Sequence, residues 1–176
     1  MRMQSNKLLC CMGAMIITDE FLVGVAGIAV ALIGFSGVVA ALGQRSEGRW
    51  TPSELLQLRT LVEPSIVSLL GAFAPIVLGL AIHNSDVLWR SSNALLLSFH
   101  LVGFTAFLVR GSSSGVEVSH KIMTSIFLLI ALFQLASIFN WLPLHQLAFS
   151  LSLIYGIFVS VHNFYLLLFN ADKDAA

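Results

Sequence analysis

The sequence predicts an all-α, polytopic membrane helical bundle: five transmembrane helices plus one short amphipathic interfacial helix, in a single integral membrane domain over residues 1–176. Three observations lead there. Five apolar stretches separated by short polar joints fill most of the chain, and each approaches the roughly 20 residues needed to cross about 30 Å of hydrocarbon. Hydrophobic residues make up 57% of the chain and charged residues 10%, far below the roughly 25% charge of soluble domains. Nearly all of the charges lie in the joints, as the unfavourable burial of charge in lipid requires.

Span one is placed at residues 21–42, Phe21–Leu42, a run without an ionisable side chain. Within it Gly24, Gly27, Ala31 and Gly34 share one helical face, and Gly71, Pro75 and Gly79 form a matching seam in span two; small residues let lipid-embedded helices approach closely, so these two spans are expected to pair there. The joint Gly43–Thr60 contains Thr51-Pro52-Ser53-Glu54, the form of a capping box with proline at the first helical position. It starts an interfacial helix over about 52–60, with Leu55, Leu58, Leu61 and Val62 along one side and Trp50 at headgroup level. A bend at Pro64 then leads into span two, residues 61–82.

Span three covers residues 91–109, after the joint His83–Arg90, and span four covers 122–142, after the Gly/Ser-rich joint Arg110–Lys121. Trp141-Leu142-Pro143 marks a tight turn, because the residue before proline avoids the helical region. Span five covers 144–169, followed by a polar tail. With five spans, Arg45, Arg49, Arg59, Arg110, Lys121 and Lys173 share one side, against Arg2, Lys7 and Arg90 on the other; the positive-inside rule then puts the C-terminus in the cytoplasm. If translation begins at Met15, only Arg90 opposes them. Adjacent Cys10 and Cys11 supply no disulfide framework, and acylation beside the membrane is the alternative they leave.

Polar groups inside the spans are the candidate functional residues, because a bilayer disfavours them. His100, Gln134 and Tyr155 fall at similar depth near mid-membrane, His162 lies seven residues beyond Tyr155, and Glu63 stands one turn inside the interface. The plainer reading is an interhelical hydrogen-bonding layer, with a neutral His100 facing the bundle interior and bonded to Gln134 or Tyr155. Ser152, Gly156, Ser160 and Asn163 form a stripe beside it on span five. Glu63 follows Arg59 by four residues, a spacing for an exposed ion pair, with a bundle-facing carboxylate as the other possibility.

No nucleophile elbow, P-loop, dinucleotide-binding glycine pattern or acidic metal cluster is present, so the chain reads as non-enzymatic, without catalytic residues, metal or cofactor. The nine Lys/Arg and nine Asp/Glu give no net charge to attract nucleic acid. The expected role is an interaction or structural component of the membrane, working with the lipid bilayer, a second copy in a homo-oligomer, or a partner membrane protein. Two other readings stay open: a small channel or proton-linked transporter using His100, His162 and Glu63, and a b-type haem subunit with histidine ligands.

Overall fold

The computed structural model describes residues 19–46, 52–111 and 118–173, all organised around helices: α1 (Asp19–Ser46), α2 (Pro52–Gly79), α3 (Ser85–Gly111), α4 (Val118–Ile138) and α5 (His145–Lys173). All five are long and apolar enough to cross a membrane. The interfacial helix expected at 52–60 is not a separate element; it is the first part of α2, which continues through Pro64 and Pro75. The inward face keeps its register across Pro64, through Gln57, Leu61, Ser65, Ser68 and Ala72. Proline removes one backbone donor, which leaves the Thr60 carbonyl, four residues before Pro64, without its helical partner. Thr60 Oγ1 donates to the Leu56 carbonyl at 2.6 Å and Ser65 Oγ to that of Leu61 at 2.9 Å, one on either side of Pro64. The Thr51 cap, Trp50, Cys10 and Cys11 lie outside the described residues.

The joint before α3 is shorter than the sequence suggested and the one after α4 is longer. Helix α3 begins at Ser85 because Asn84 caps it: its Oδ1 accepts from the backbone N–H of Asp86 at 3.0 Å and of Val87 at 3.2 Å. Helix α4 stops at Ile138 instead of reaching 142. Asn140 there takes φ 61°, Trp141 N–H returns to the Ala136 carbonyl, and Asn140 N–H to that of Ser137. Those two bonds around a left-handed Asn are a Schellman stop, and Pro143 follows it. Arg90 completes the end by donating from Nε to the Ile138 carbonyl at 2.7 Å, a cation at the negative end of a helix.

Consecutive helices run antiparallel, and the end holding the start of α1 and the α2–α3 and α4–α5 turns is here the upper end. Helix α5 contacts all four others; α1 touches only α2 and α5, and α2 and α4 have no close backbone contact among the described residues. The upper core joins Leu22, Val25 and Ala26 of α1, Ala72 of α2, Leu96 of α3, and Phe149 and Leu153 of α5. Trp89 meets Phe149 edge to face, centroids 5.6 Å apart. A second cluster, Leu97, Phe127 and Ala131, sits between α3 and α4 with Phe104 and Tyr155 against it.

Spans one and two do pack together, but not through the glycines of span one. An added Cβ at Gly24, Gly27 or Gly34 meets nothing within 4 Å, and the buried face of α1 is instead Leu22, Val25, Ala26 and Ala29. Gly71 faces Leu96 and Leu153, not α1. Small residues on a helix mark a face that permits close approach without saying that a neighbour occupies it.

The distribution of polarity is that of a protein in lipid. Leu80, Val102, Val109 and Leu129 point outward, whereas Ser65, Ser68, Ser92, Asn93, Gln134, Ser137, Ser152 and Ser160 are buried. Such a surface would be a severe aggregation hazard in water; in a bilayer it is the favourable one.

Candidate functional site

The polar groups sort into two layers. In the upper layer, Asn93 Nδ2 donates to the carbonyls of Trp89 and His145, each at 2.9 Å, while its Oδ1 accepts from Gln134 Nε2 at 3.4 Å. Ser137 Oγ and His145 Nδ1 are 2.8 Å apart. This network ties α3, α4 and α5 together, and Gln134 belongs to it.

The lower layer is built on the α2–α5 seam. The Ser65 and Ser160 hydroxyls meet at 2.9 Å, Thr60 Oγ1 reaches Asn163 Oδ1 at 3.1 Å, and Ser68 Oγ donates to the Leu153 carbonyl at 3.4 Å. Gly156 makes this proximity possible, since an added Cβ there would collide with Ser68 Oγ and stand 3.4 Å from the Pro64 carbonyl. The stripe Ser152–Gly156–Ser160–Asn163 is therefore where the sequence placed it, and α2 covers part of it.

Below the second hydrophobic cluster, α2, α3, α4 and α5 diverge around a cavity of about 110 Å³. Helix α2 contributes Thr60, Glu63 and Val67; α3 contributes Phe99, His100, Gly103, Phe104 and Phe107; α4 contributes Met123 and Phe127; α5 contributes Tyr155, Val159, His162 and Asn163. Four of the five sequence candidates, Glu63, His100, Tyr155 and His162, thus line one space, and Gln134 does not. Glu63 is half-buried and lines the cavity, so it stands toward the bundle side of α2.

His100 faces the interior as expected, but with a different partner. Its Nδ1 lies 3.2 Å from Ser152 Oγ. Tyr155 instead donates its hydroxyl to the Met123 carbonyl at 2.9 Å. Depth along a span ranks possible partners but says nothing about rotation, and rotation puts Ser152 and not Gln134 opposite His100. The Nε2 atoms of His100 and His162 are buried without a hydrogen-bond partner. An unmet buried polar atom is uncommon; both residues line the cavity, while these atoms themselves have almost no accessible surface.

The wall is largely aromatic. Phe104 and Phe127 are 4.5 Å apart between centroids, and Phe127 and Tyr155 are 6.2 Å apart. Gly103 adds room, because a Cβ there would meet nothing within 4 Å. The sequence reading passed over Gly103, Thr60, Ser65 and Ser68. The serines carried a usable signal, for they match Ser152, Gly156 and Ser160 in depth on an antiparallel helix.

Glu63, His100 and His162 border the cavity without forming a three-ligand metal group among the described residues. The space is of the same order as the roughly 150 Å³ engineered cavity that accepts benzene. Comparison of the chain with protein-family models, with curated proteins and with solved structures finds no match in any of the three.

Proposed function

We propose that this is a non-enzymatic component of the membrane that works by binding a small, largely apolar molecule inside the bundle. The observation that carries this reading is the lower cavity, apolar over most of its wall, with Glu63, His100 and His162 among the residues that line it. Concave apolar spaces with a few directed polar groups are where small molecules bind. The test is purification in mild detergent followed by mass spectrometry of whatever small molecules accompany the protein. A compound enriched with the wild type and lost from a folded Gly103→Leu variant is expected; identical profiles for the two would refute the reading.

Proton-linked transport is the second reading, favoured by Glu63, His100 and His162 sharing one space. Against it, the bundle above His100 is closed by fully buried Leu96, Gln134, Asn93 and Phe149, so the cavity ends inside the protein. A proteoliposome assay showing pH-driven flux would reverse this ranking.

We infer that the lower end and the C-terminus face the cytoplasm. Arg45, Arg49, Arg59, Arg110, Lys121 and Lys173 belong to that side, and the positive-inside rule supports the assignment. A C-terminal reporter that is active only in reducing, internal surroundings is the expected result; activity confined to the external compartment would invert the topology.

A further inference from the structure

The two turns at the upper end stand at different heights. Asn93 bonds to both the His145 carbonyl and Gln134, so these three residues share one level of the bundle. Above that level α3 extends eight residues, from Asn93 up to Ser85, whereas α4 extends four, from Gln134 to Ile138, and α5 starts at His145 itself. At about 1.5 Å of rise per residue, the α4–α5 turn is recessed roughly 6–12 Å below the start of α3. The recessed turn is also the less polar one. No Lys, Arg, Asp or Glu occurs between Lys121 and Asp172, whereas the α2–α3 turn and the start of α3 hold His83, Asn84, Asp86 and Arg90. Phe139 and Trp141 are 61% and 77% exposed, with ring centroids 5.8 Å apart, and Leu142 and Leu144 are exposed beside them. Phe139 extends the outward stripe Leu128, Leu132 and Leu135 of α4, so this surface continues the lipid-facing side of the bundle.

The backbone of this turn has little need of water. The N–H groups of Phe139, Asn140, Trp141 and Leu142 all donate to carbonyls of α4, and Pro143 has no N–H. The Ile138 carbonyl accepts from Arg90. Irregular backbone is tolerated near hydrocarbon only where its polar groups are met within the protein, and here those donors are met. The indole of Trp141 suits the headgroup boundary, because one edge is polar and the body of the ring is not. We infer that the α4–α5 turn is a phospholipid-binding surface: Phe139, Trp141, Leu142 and Leu144 lie at the headgroup–acyl boundary of the upper leaflet, while the α2–α3 turn projects past it into water. The upper face is then a step whose lower level is covered by lipid headgroups. A zwitterionic lipid is sufficient, since the contact is apolar and residues 139–144 carry no charged side chain.

The test uses the full chain in nanodiscs of phosphatidylcholine brominated near the glycerol end of its acyl chains. Trp50→Phe with Trp89→Phe leaves Trp141 as the sole tryptophan. Adding Trp141→Phe and Leu80→Trp moves the reporter to the α2–α3 turn, where Leu80 is 83% exposed. Brominated lipid should remove most of the emission from Trp141 and little of that from position 80, and aqueous iodide should do the reverse. Trp89 packs on Phe149, so a second measurement uses the unaltered chain: hydroxyl radicals generated in water, with oxidation read by mass spectrometry. Indole is among the most readily oxidised side chains, yet Trp141 should stay unoxidised in nanodiscs while His83 is labelled. Quenching of Trp141 by iodide instead of brominated lipid, or oxidation of Trp141 as readily as His83 in the wild type, would overturn the inference. Equal quenching of the two reporters would overturn it as well, because the turns would then share one height.

Discussion

Phe149→Ala is expected to be the most damaging of the simple truncations, lowering stability by about 3 kcal/mol, toward the low end of the range for buried phenylalanines. Phe149 is fully buried where α1, α2, α3 and α5 meet, and its ring receives the edge of Trp89. In a bilayer the unfolded reference still lies in lipid, so little of the water-transfer contribution is lost. What disappears is close packing: the contacts of a whole ring, left as a void that neither lipid nor water enters easily. Phe73, about half exposed on the outside of α2, is the control. Its truncation should change stability by less than about 0.5 kcal/mol, as for positions away from packed features. Reversible unfolding in mixed micelles measures both. Equal losses for Phe149→Ala and Phe73→Ala would mean that this core does not hold the bundle together.

The second large effect is expected at Gly156. Gly156→Val should destabilise by about 1–3 kcal/mol, the usual range for overpacking, and should separate α2 from α5. The obstacle is specific: the first added carbon already collides with Ser68 Oγ, and the Pro64 carbonyl and His100 Nε2 stand 3.4 and 3.7 Å from it. Ser68 can rotate away, but only by giving up its contact with the Leu153 carbonyl. Gly27→Val makes the informative comparison. Gly27 looked from sequence like part of the principal packing seam, yet an added Cβ there meets nothing within 4 Å. The bundle itself should therefore tolerate it, with an unfolding midpoint close to that of the wild type. A loss at Gly27 as great as that at Gly156 would show that the helices associate along the α1 glycine face after all.

These contrasts indicate what the residues disclosed and what they withheld. Five helices were legible because length and apolarity alone decide whether a segment crosses a bilayer. The stop before Pro143 was legible because proline restricts its predecessor, although the actual end came earlier, at the left-handed Asn140. The continuity of α2 was not, since a proline reads locally as a break while its tolerance inside a membrane helix depends on the surrounding bundle. Membership of the site was partly legible: His100, His162, Tyr155 and Glu63 stood out as polar or ionisable side chains inside spans, and they line one cavity. Gln134 looked equivalent by depth and went elsewhere, to Asn93. Helix rotation decides that difference, and it is fixed by which faces pack best across the whole bundle, information that no single span contains.

The position of α5 has a consequence for how the protein is made. Helices leave the ribosome in chain order, so α2 enters the membrane well before α5, which among the described helices comes last and alone makes close contact with all the others. During that interval Ser65 and Ser68 have no Ser160 hydroxyl or Leu153 carbonyl to meet, and α1 has only one of its two neighbours. The unfinished protein thus displays to lipid a row of hydroxyls that the finished one conceals. Synthesis of α5 both completes the cavity and withdraws that row, so a chain halted before it would carry a visible mark of incompleteness for the membrane's quality-control proteases to read.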